Sequence, residues 1–329
     1  MLPTLRSLIV PEALSDLLRT SHGLDNAHCV LIRSFVNDVY KVTVTTADRA
    51  DAYALKVYQS GRWEPDEVRW ELELVDHVAK AGVPVPRIVP LTDGAPCGIL
   101  DAAEGPRVYA LTEFVAGRKP EPPFDDALYR EFGALIAAFH TSTDDFASRY
   151  PRRPSDLVTL LDRPIERVSA ALIDHPDDRR LVLDLGAEAR SRLTEASSAG
   201  PGRGLGPGPG LEYGICHGDV SLDNVFLGPD GLSLHDFDST TPGWRAADLT
   251  GVSLTPHFEA FVAGYRTVRP LDDADLAAVP WFTVAGLIEN LAFHLIDKPA
   301  YRGTESLAEG WVEDGLTELR EFAASLSGR

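Results

Sequence analysis

A change of hydrophobic period divides this chain. From about Cys29 to Val57 three runs, CVLIRSF, VYKVTVTT and YALKVYQ, are rich in Val, Tyr and Thr, with ADRAD as a turn between the last two. That composition reads as strands. RWEPDEVRWELELVDHVAKAG then turns helical, with Val68, Leu72, Val75 and Val78 at helical spacing and Gly82 as a stop. The prolines of VPVPRIVPL impose an extended path, and the runs CGIL and RVYALTEFV follow it as strands. Beyond Gly117 the pattern is helical almost throughout. ALYREFGALIAAFHTST places Leu128, Phe132, Leu135, Ile136 and Phe139 on one face. LVTLLDRPIERVSAALI, interrupted at Pro164, RRLVLDLGAEARSRLTEA and three segments between His257 and Leu326 continue the series. The expectation is an α+β chain in two lobes, a small antiparallel sheet with one helix over 1–116 and a mainly helical lobe over 117–329. Residues 199–210, AGPGRGLGPGPG, hold neither GxxxxGK[ST] nor GxGxxG and read as a flexible Gly/Pro loop rather than a phosphate cradle.

Composition narrows the partners. The formal net charge of -19 argues against nucleic acid or an anionic membrane, since both need a basic footprint. An acidic surface either keeps the protein soluble or draws in a cationic small molecule. Cys29, Cys97 and Cys216 are odd in number and lack CxxC spacing, so neither a disulfide framework nor a zinc site is expected. The first twenty residues lack the apolar core of a signal peptide, and no run approaches about 18 apolar residues, which leads to a cytoplasmic expectation.

The densest chemistry lies in HGDVSLDNVFLGPDGLSLHDFD, residues 217–238. NVFLG and LSLHDF are short apolar runs and PDG between them is turn chemistry, so the stretch reads as loop, strand, turn, strand. A tight hairpin brings Asp219 and Asn224, before the first strand, towards Asp236 at the end of the second. An oxygen-rich pocket of that kind suits Mg²⁺ rather than a soft metal.

These residues also carry a resemblance. HGDVSLDNVF followed by LHDFD resembles the catalytic loop and metal motif of the aminoglycoside phosphotransferase and choline kinase-like family, with some similarity to type II homoserine kinase relatives. His217, Asp219 and Asn224 match the loop pattern H-x-D-x-x-x-x-N at every defined position. YALKVY resembles the strand bearing the kinase lysine, Lys56, and WELELVDHVAKAGVPVP the helix whose glutamate, Glu71, pairs with it. YALTEFVAG is similar to the hinge, which makes Glu113 and Val115 cofactor-binding positions, and PGWRAADLTGV to the stretch where Asp248 is structural. The resemblance implies a protein kinase-like bilobal fold and an ATP- and Mg²⁺-dependent transfer of phosphate to a small-molecule hydroxyl. Lys56, oriented by Glu71, would hold the α- and β-phosphates, Asn224 and Asp236 the metal, and Asp219 would act on the attacking hydroxyl.

Several positions have two readings. RSFVNDVYKV departs from the glycine-rich phosphate loop, so Asn37 either contacts phosphate or simply sits in a hairpin turn. Glu67 and Glu73 compete with Glu71 for Lys56, and spacing to GVPVP favours Glu71. Asp223 and Asp238 are caps or surface charges, with a second-metal or substrate role open to Asp238. Glu289 is either a substrate contact for a cationic acceptor or one member of a polar helix stripe. The acceptor classes in view are amino alcohols, hydroxy-amino acids and aminoglycoside-type antibiotics. A bacterial stress-type protein Ser/Thr kinase and a non-catalytic pseudokinase binding module are the rival functions.

Overall fold

Three successive strands begin the first sheet. The computed structural model describes residues 4–45, 50–115, 117–198 and 210–327. Buried and more exposed residues alternate along the whole of β2 (Asp38–Thr45), but only at the start of β1 (Ala27–Ser34) and at the end of β3 (Ala50–Val57). With β4 (Ile88–Val89), β5 (Gly98–Ala102) and β6 (Gly105–Glu113) they form an antiparallel sheet in the order β1-β2-β3-β6-β4, with β5 also paired to β6.

Two helices cover this sheet, where the sequence reading expected one. Tyr40, Val42, Val44, Leu55, Val57, Tyr109 and Leu111 point to one face and pack with Leu14 and Leu18 of α1 (Pro11–His22). Full burial of a leucine side chain is worth about 1.5–3 kcal/mol, so two of them anchor a 12-residue helix. The signal was in the sequence: Pro11 opens the helix, Leu14 and Leu18 are four apart, and Gly23 caps it in the left-handed region at φ 68°. The opposite face, with Val108 and Ala110, packs on Val68 and Leu72 of α2 (Pro65–Lys80). Leu55 and Val57 face α1, so the residue between them, Lys56, faces α2.

The helical region contains α3 (Asp126–Ser142), α4 (Arg163–Ala171), α5 (Pro176–Ser198), the short α6 (Thr250–Ser253), α7 (Phe258–Tyr265) and α8 (Asp273–Ala292). Shorter α9 (Lys298–Arg302) and the closing α10 (Trp311–Ser327) complete it. Pro164 does not break a helix; it sits at the start of α4, where the missing N–H is harmless, after a π-turn over Val158–Asp162. Two small strand pairs interrupt the helices: β7 (Tyr213–Cys216) with β10 (Thr241–Trp244), and the hairpin β8 (Val225–Gly228) with β9 (Gly231–Leu234). The Gly/Pro stretch 199–210 lies outside the described residues except for Gly210.

The membrane expectation needs amending. The continuous helix Asp273–Arg302 is long and apolar enough to cross a bilayer by length and composition, but more than half of its apolar window is buried inside the protein. Leu287, Ile288 and Leu291 are among its core residues. All three cysteines are free and buried.

The chain forms two compact units. One comprises Met1–Phe124, Thr141–Arg153 and Leu222–Asp238; the other comprises Asp125–His140, Pro154–Ser221 and Ser239–Arg329. The expected ranges 1–116 and 117–329 were each continuous, whereas here two later segments complete the first unit. The β8–β9 hairpin supplies part of the reason, because Leu227 exchanges backbone hydrogen bonds with Arg118, and Leu234 N–H donates to Pro84 O.

Candidate active site

In the first unit a single cation gathers three carboxylates. Lys56 Nζ lies 3.9 Å from Glu71 Oε1 and 3.4 Å from Asp236 Oδ1, and is closest of all to Asp238 Oδ1. Burial opposes the charged ammonium, but Asp238, Asp236 and Glu71 outweigh it and hold the Lys56 pKa above its ordinary value. The Glu71 carboxyl is pushed up, chiefly by burial, with Lys56 opposing. Tyr58 O–H donates to Glu71 Oε1 at 2.8 Å and fixes that carboxylate on α2.

The rival glutamates are engaged elsewhere. Glu67 closes a capping box with Glu64 at the start of α2 and takes Arg153 Nε at 2.7 Å, while Glu73 accepts from Ser148 Oγ at 2.5 Å. Of the three helix positions, Glu71 is the one that turns to Lys56.

The hairpin positions the metal-motif residues. β8 and β9 are joined by a tight turn at Gly228–Gly231, and Asn224 O accepts His235 N–H at 3.0 Å, so the two ends meet. Asn224 is buried in a short 3₁₀ turn (Leu222–Asn224). Asp236 stands two residues beyond β9 in the left-handed region at φ 65°, which a non-glycine residue adopts only when its surroundings hold it there. Its carboxyl is held below the usual range: burial pushes it up, and the Lys56 charge overcomes that. Among the described residues no group of three His, Cys, Asp or Glu side chains is gathered for a metal. What the hairpin offers are oxygen donors, which suit a hard divalent cation completed by other oxygens.

Asp238, read in the sequence as a cap or surface charge with a second-metal or substrate role open, is here a direct partner of Lys56. Besides Lys56, it accepts a hydrogen bond from Asn37 Nδ2, whose own Oδ1 accepts Gln59 N–H at 2.8 Å. Asn37 is therefore buried between the sheet and Asp238. Asp223, by contrast, is exposed beside Lys119, 3.9 Å away. Glu113 closes β6 and donates its backbone N–H to Arg87 O at 2.9 Å, and Val115 is half-buried just beyond it.

Arg152 went unnoticed in the sequence. Its buried guanidinium lies 4.0 Å over the Trp63 ring and 5.6 Å from that of Trp70, and donates to the backbone carbonyl of Asp238. An arginine in PRRPSD, a surface-like polar run, gives no hint that it stacks on two aromatic rings.

The second unit contains Asp219, and the loop before it is braced from within. Asp248 is fully buried; its Oδ2 accepts His217 N–H at 2.6 Å and His140 Nε2–H at 2.9 Å, and its Oδ1 accepts Gly218 N–H at 2.8 Å. Burial raises the Asp248 pKa, but these donors bring it below the ordinary range. Burial lowers the pKa of His140, so the imidazole is neutral, with Tyr265 O–H donating to Nδ1 at 2.8 Å. Gly218 adopts φ 79°, and a Cβ there would meet Ser239 O at 2.4 Å, so no other residue fits. His217 is buried edge-on to Phe139 and supports the loop by packing. Glu289 is exposed near the end of α8 in this unit.

Residues 28–278 match the APH phosphotransferase enzyme family. An uncharacterized protein of Deinococcus radiodurans is 36% identical over 97% of this chain and 92% of its own length. A homoserine kinase of Rhizobium johnstonii is 31% identical, over 70% of this chain and 69% of its own. Among solved structures, a microcompartment-associated aminopropanol kinase superposes with a TM-score of 0.75 at 22% identity, covering 95% of this chain and 98% of that one. The sheet-rich first unit, the mainly helical second and this likeness make the fold α+β and protein kinase-like. The chain belongs to the phosphotransferase enzyme family.

Proposed function

We propose that this protein transfers the γ-phosphoryl group of ATP, with Mg²⁺, to the hydroxyl of a small amino alcohol or hydroxy-amino acid. The observation that carries the reading is the convergence of Glu71, Asp236 and Asp238 on Lys56. A lysine held charged is suited to phosphate oxygens, because phosphoryl transfer is governed by positioning and charge neutralisation. In this reading Lys56, oriented by Glu71, binds the α- and β-phosphates. Asn224 and Asp236 would hold the cation, which would supply neutralisation of phosphate charge. Glu113 and Val115 lie on the adenine side. Asp219 orients the acceptor hydroxyl and takes its proton. The homoserine kinase and aminopropanol kinase among the similar proteins act on hydroxyls near an amine, which supports that acceptor class for a chain of net charge -19. A cytoplasmic location belongs to the same proposal.

The test is a coupled ATP-turnover screen with Mg²⁺ against homoserine, aminopropanol, ethanolamine, choline and aminoglycosides. Turnover with one of the first four, lowered about 10²–10⁴-fold in Asp219→Asn while AMP-PNP still binds, is the expected result. Phosphorylation of protein serine alone, or no nucleotide binding at millimolar ATP, would overturn it.

A further inference from the structure

The turn between β1 and β2, Phe35-Val36-Asn37, contains no glycine, yet Asn37 within it reaches Asp238. Its shape is held from behind. Arg6, in the segment before α1, donates to Phe35 O, to Ser34 Oγ at 2.9 Å and to Asp38 Oδ1. Asp38 is 1% exposed, and its other oxygen accepts Arg107 Nη2–H at 2.8 Å. Arg107, 2% exposed, also donates from Nε to Tyr58 O at 2.8 Å and from Nη2 to Val57 O at 3.0 Å. Those two carbonyls belong to Val57, the last residue of β3 and the one directly after Lys56, and to Tyr58 just beyond the strand. Asp38 and Arg107 share the inward register of Tyr40 and Tyr109, so this chain of contacts runs on the α1 face while Lys56 emerges on the α2 face.

We propose that Arg6, half-buried, and the buried pair Asp38 and Arg107 form a clamp that positions the β1–β2 turn, and with it the Asn37–Asp238 contact, for nucleotide binding. The inference rests on the phosphotransferase reading and deepens it. Buried ion pairs contribute little net stability, because desolvation offsets their attraction, and they are retained where a geometry has to be fixed. Here one carboxylate joins the turn to the strand that carries Lys56. Glu104, 3.5 Å from Arg107 Nη1 with Ser7 Oγ donating to it, balances the second cation without touching the turn. The clamp supplies a fixed turn where a glycine-rich loop would supply a flexible one. Its three members are positioning residues.

The experiment uses the full chain and Mg²⁺ with AMP-PNP as the probe, read by calorimetry beside a thermal melt. Arg6→Ala should weaken AMP-PNP binding about tenfold, since small misplacements of a binding group are costly. Leu14→Ala, which removes a core contact of α1, should lower the melting temperature at least as much and leave affinity within about twofold. Because Arg6 is partly exposed, millimolar free guanidinium should restore binding to Arg6→Ala, as a lost scaffold would not allow. Should Arg6→Ala fail to fold, Asp38→Asn takes its place and should likewise lose affinity beyond its loss of stability. If affinity tracks melting temperature equally in all variants, or Arg6→Ala binds like wild type, the clamp is refuted. Failure of wild type to bind AMP-PNP would instead strike at the phosphotransferase reading itself.

Discussion

Lys56 and Asp238 form the tightest ion pair in the candidate site, and Asn37 holds the other oxygen of Asp238. Removing that carboxylate leaves Lys56 to Asp236 and Glu71 and frees the Asn37 amide. Asp238→Ala should therefore reduce turnover by about 10–100-fold, the usual effect of losing a group that orients ligands. Asp223→Ala, at an exposed position beside Lys119, should stay within about twofold. Equal effects from the two would count against the assignment of Asp238. At this scale the sequence was partly legible. The meeting of Lys56 with Glu71 and Asp236 could be anticipated because each stands in a motif of fixed order. The weight of Asp238 could not, since its two closest partners lie 182 and 201 residues away in sequence. Arg107 opens an apolar strand run and reads as a charge at an edge, yet it is almost wholly buried.

Among the elements, the short β7–β10 pair and the 3₁₀ turn Arg245–Leu249 deliver Asp248 to the loop ahead of Asp219. A carboxylate accepts all three N–H donors, whereas an amide has one acceptor oxygen and brings donors of its own. Asp248→Asn should cost about 3 kcal/mol in urea unfolding at neutral pH, with turnover falling alongside. Because the folded pKa of Asp248 is depressed, its stabilisation is present above the ordinary carboxylate range and is lost as pH falls below it. The acid limb of the stability profile should accordingly be shallower in the variant. Asp275, in the first turn of α8, behaves in the opposite sense. Burial first, then the Glu212 and Asp272 charges, raise its pKa to about 6 despite the 3.0 Å bond from Glu212 N–H. Its contribution is full below about 4 and is lost as pH rises through about 6. Asp275→Asn keeps an acceptor for Glu212 N–H and should gain about 2 kcal/mol at pH 8 but almost nothing at pH 4. A gain that is the same at both pH values would contradict the assignment. The longer strands are legible from composition and the long helices from period; α1, β7 and β10 are not, because two are four-residue strands and the twelve-residue α1 shows little beyond Leu14 and Leu18.

The whole molecule bears 50 acidic and 31 basic side chains, so its compact state works against its own charge. Salt screens that repulsion. Raising ionic strength from about 0.01 M to about 0.15 M shortens the screening length from about 30 Å to about 8 Å and should lift the melting temperature by about 2 °C. A melting temperature that falls with added salt would show that local ion pairs outweigh the net charge. The net acidity is legible at once from composition. The division of the chain was not, because period changes near residue 117 while the first unit still takes in Thr141–Arg153 and Leu222–Asp238.

That last feature bears on how the protein is made. A chain emerging from the ribosome folds from its N-terminal end, and residues up to Phe124 can assemble their sheet early. Lys56 then waits beside Glu71 until Asp236 and Asp238 emerge more than a hundred residues later. The nascent protein is thus without its metal-motif carboxylates for most of its synthesis. The carboxylate cluster around Lys56 is finished late, by the hairpin segment that brings them.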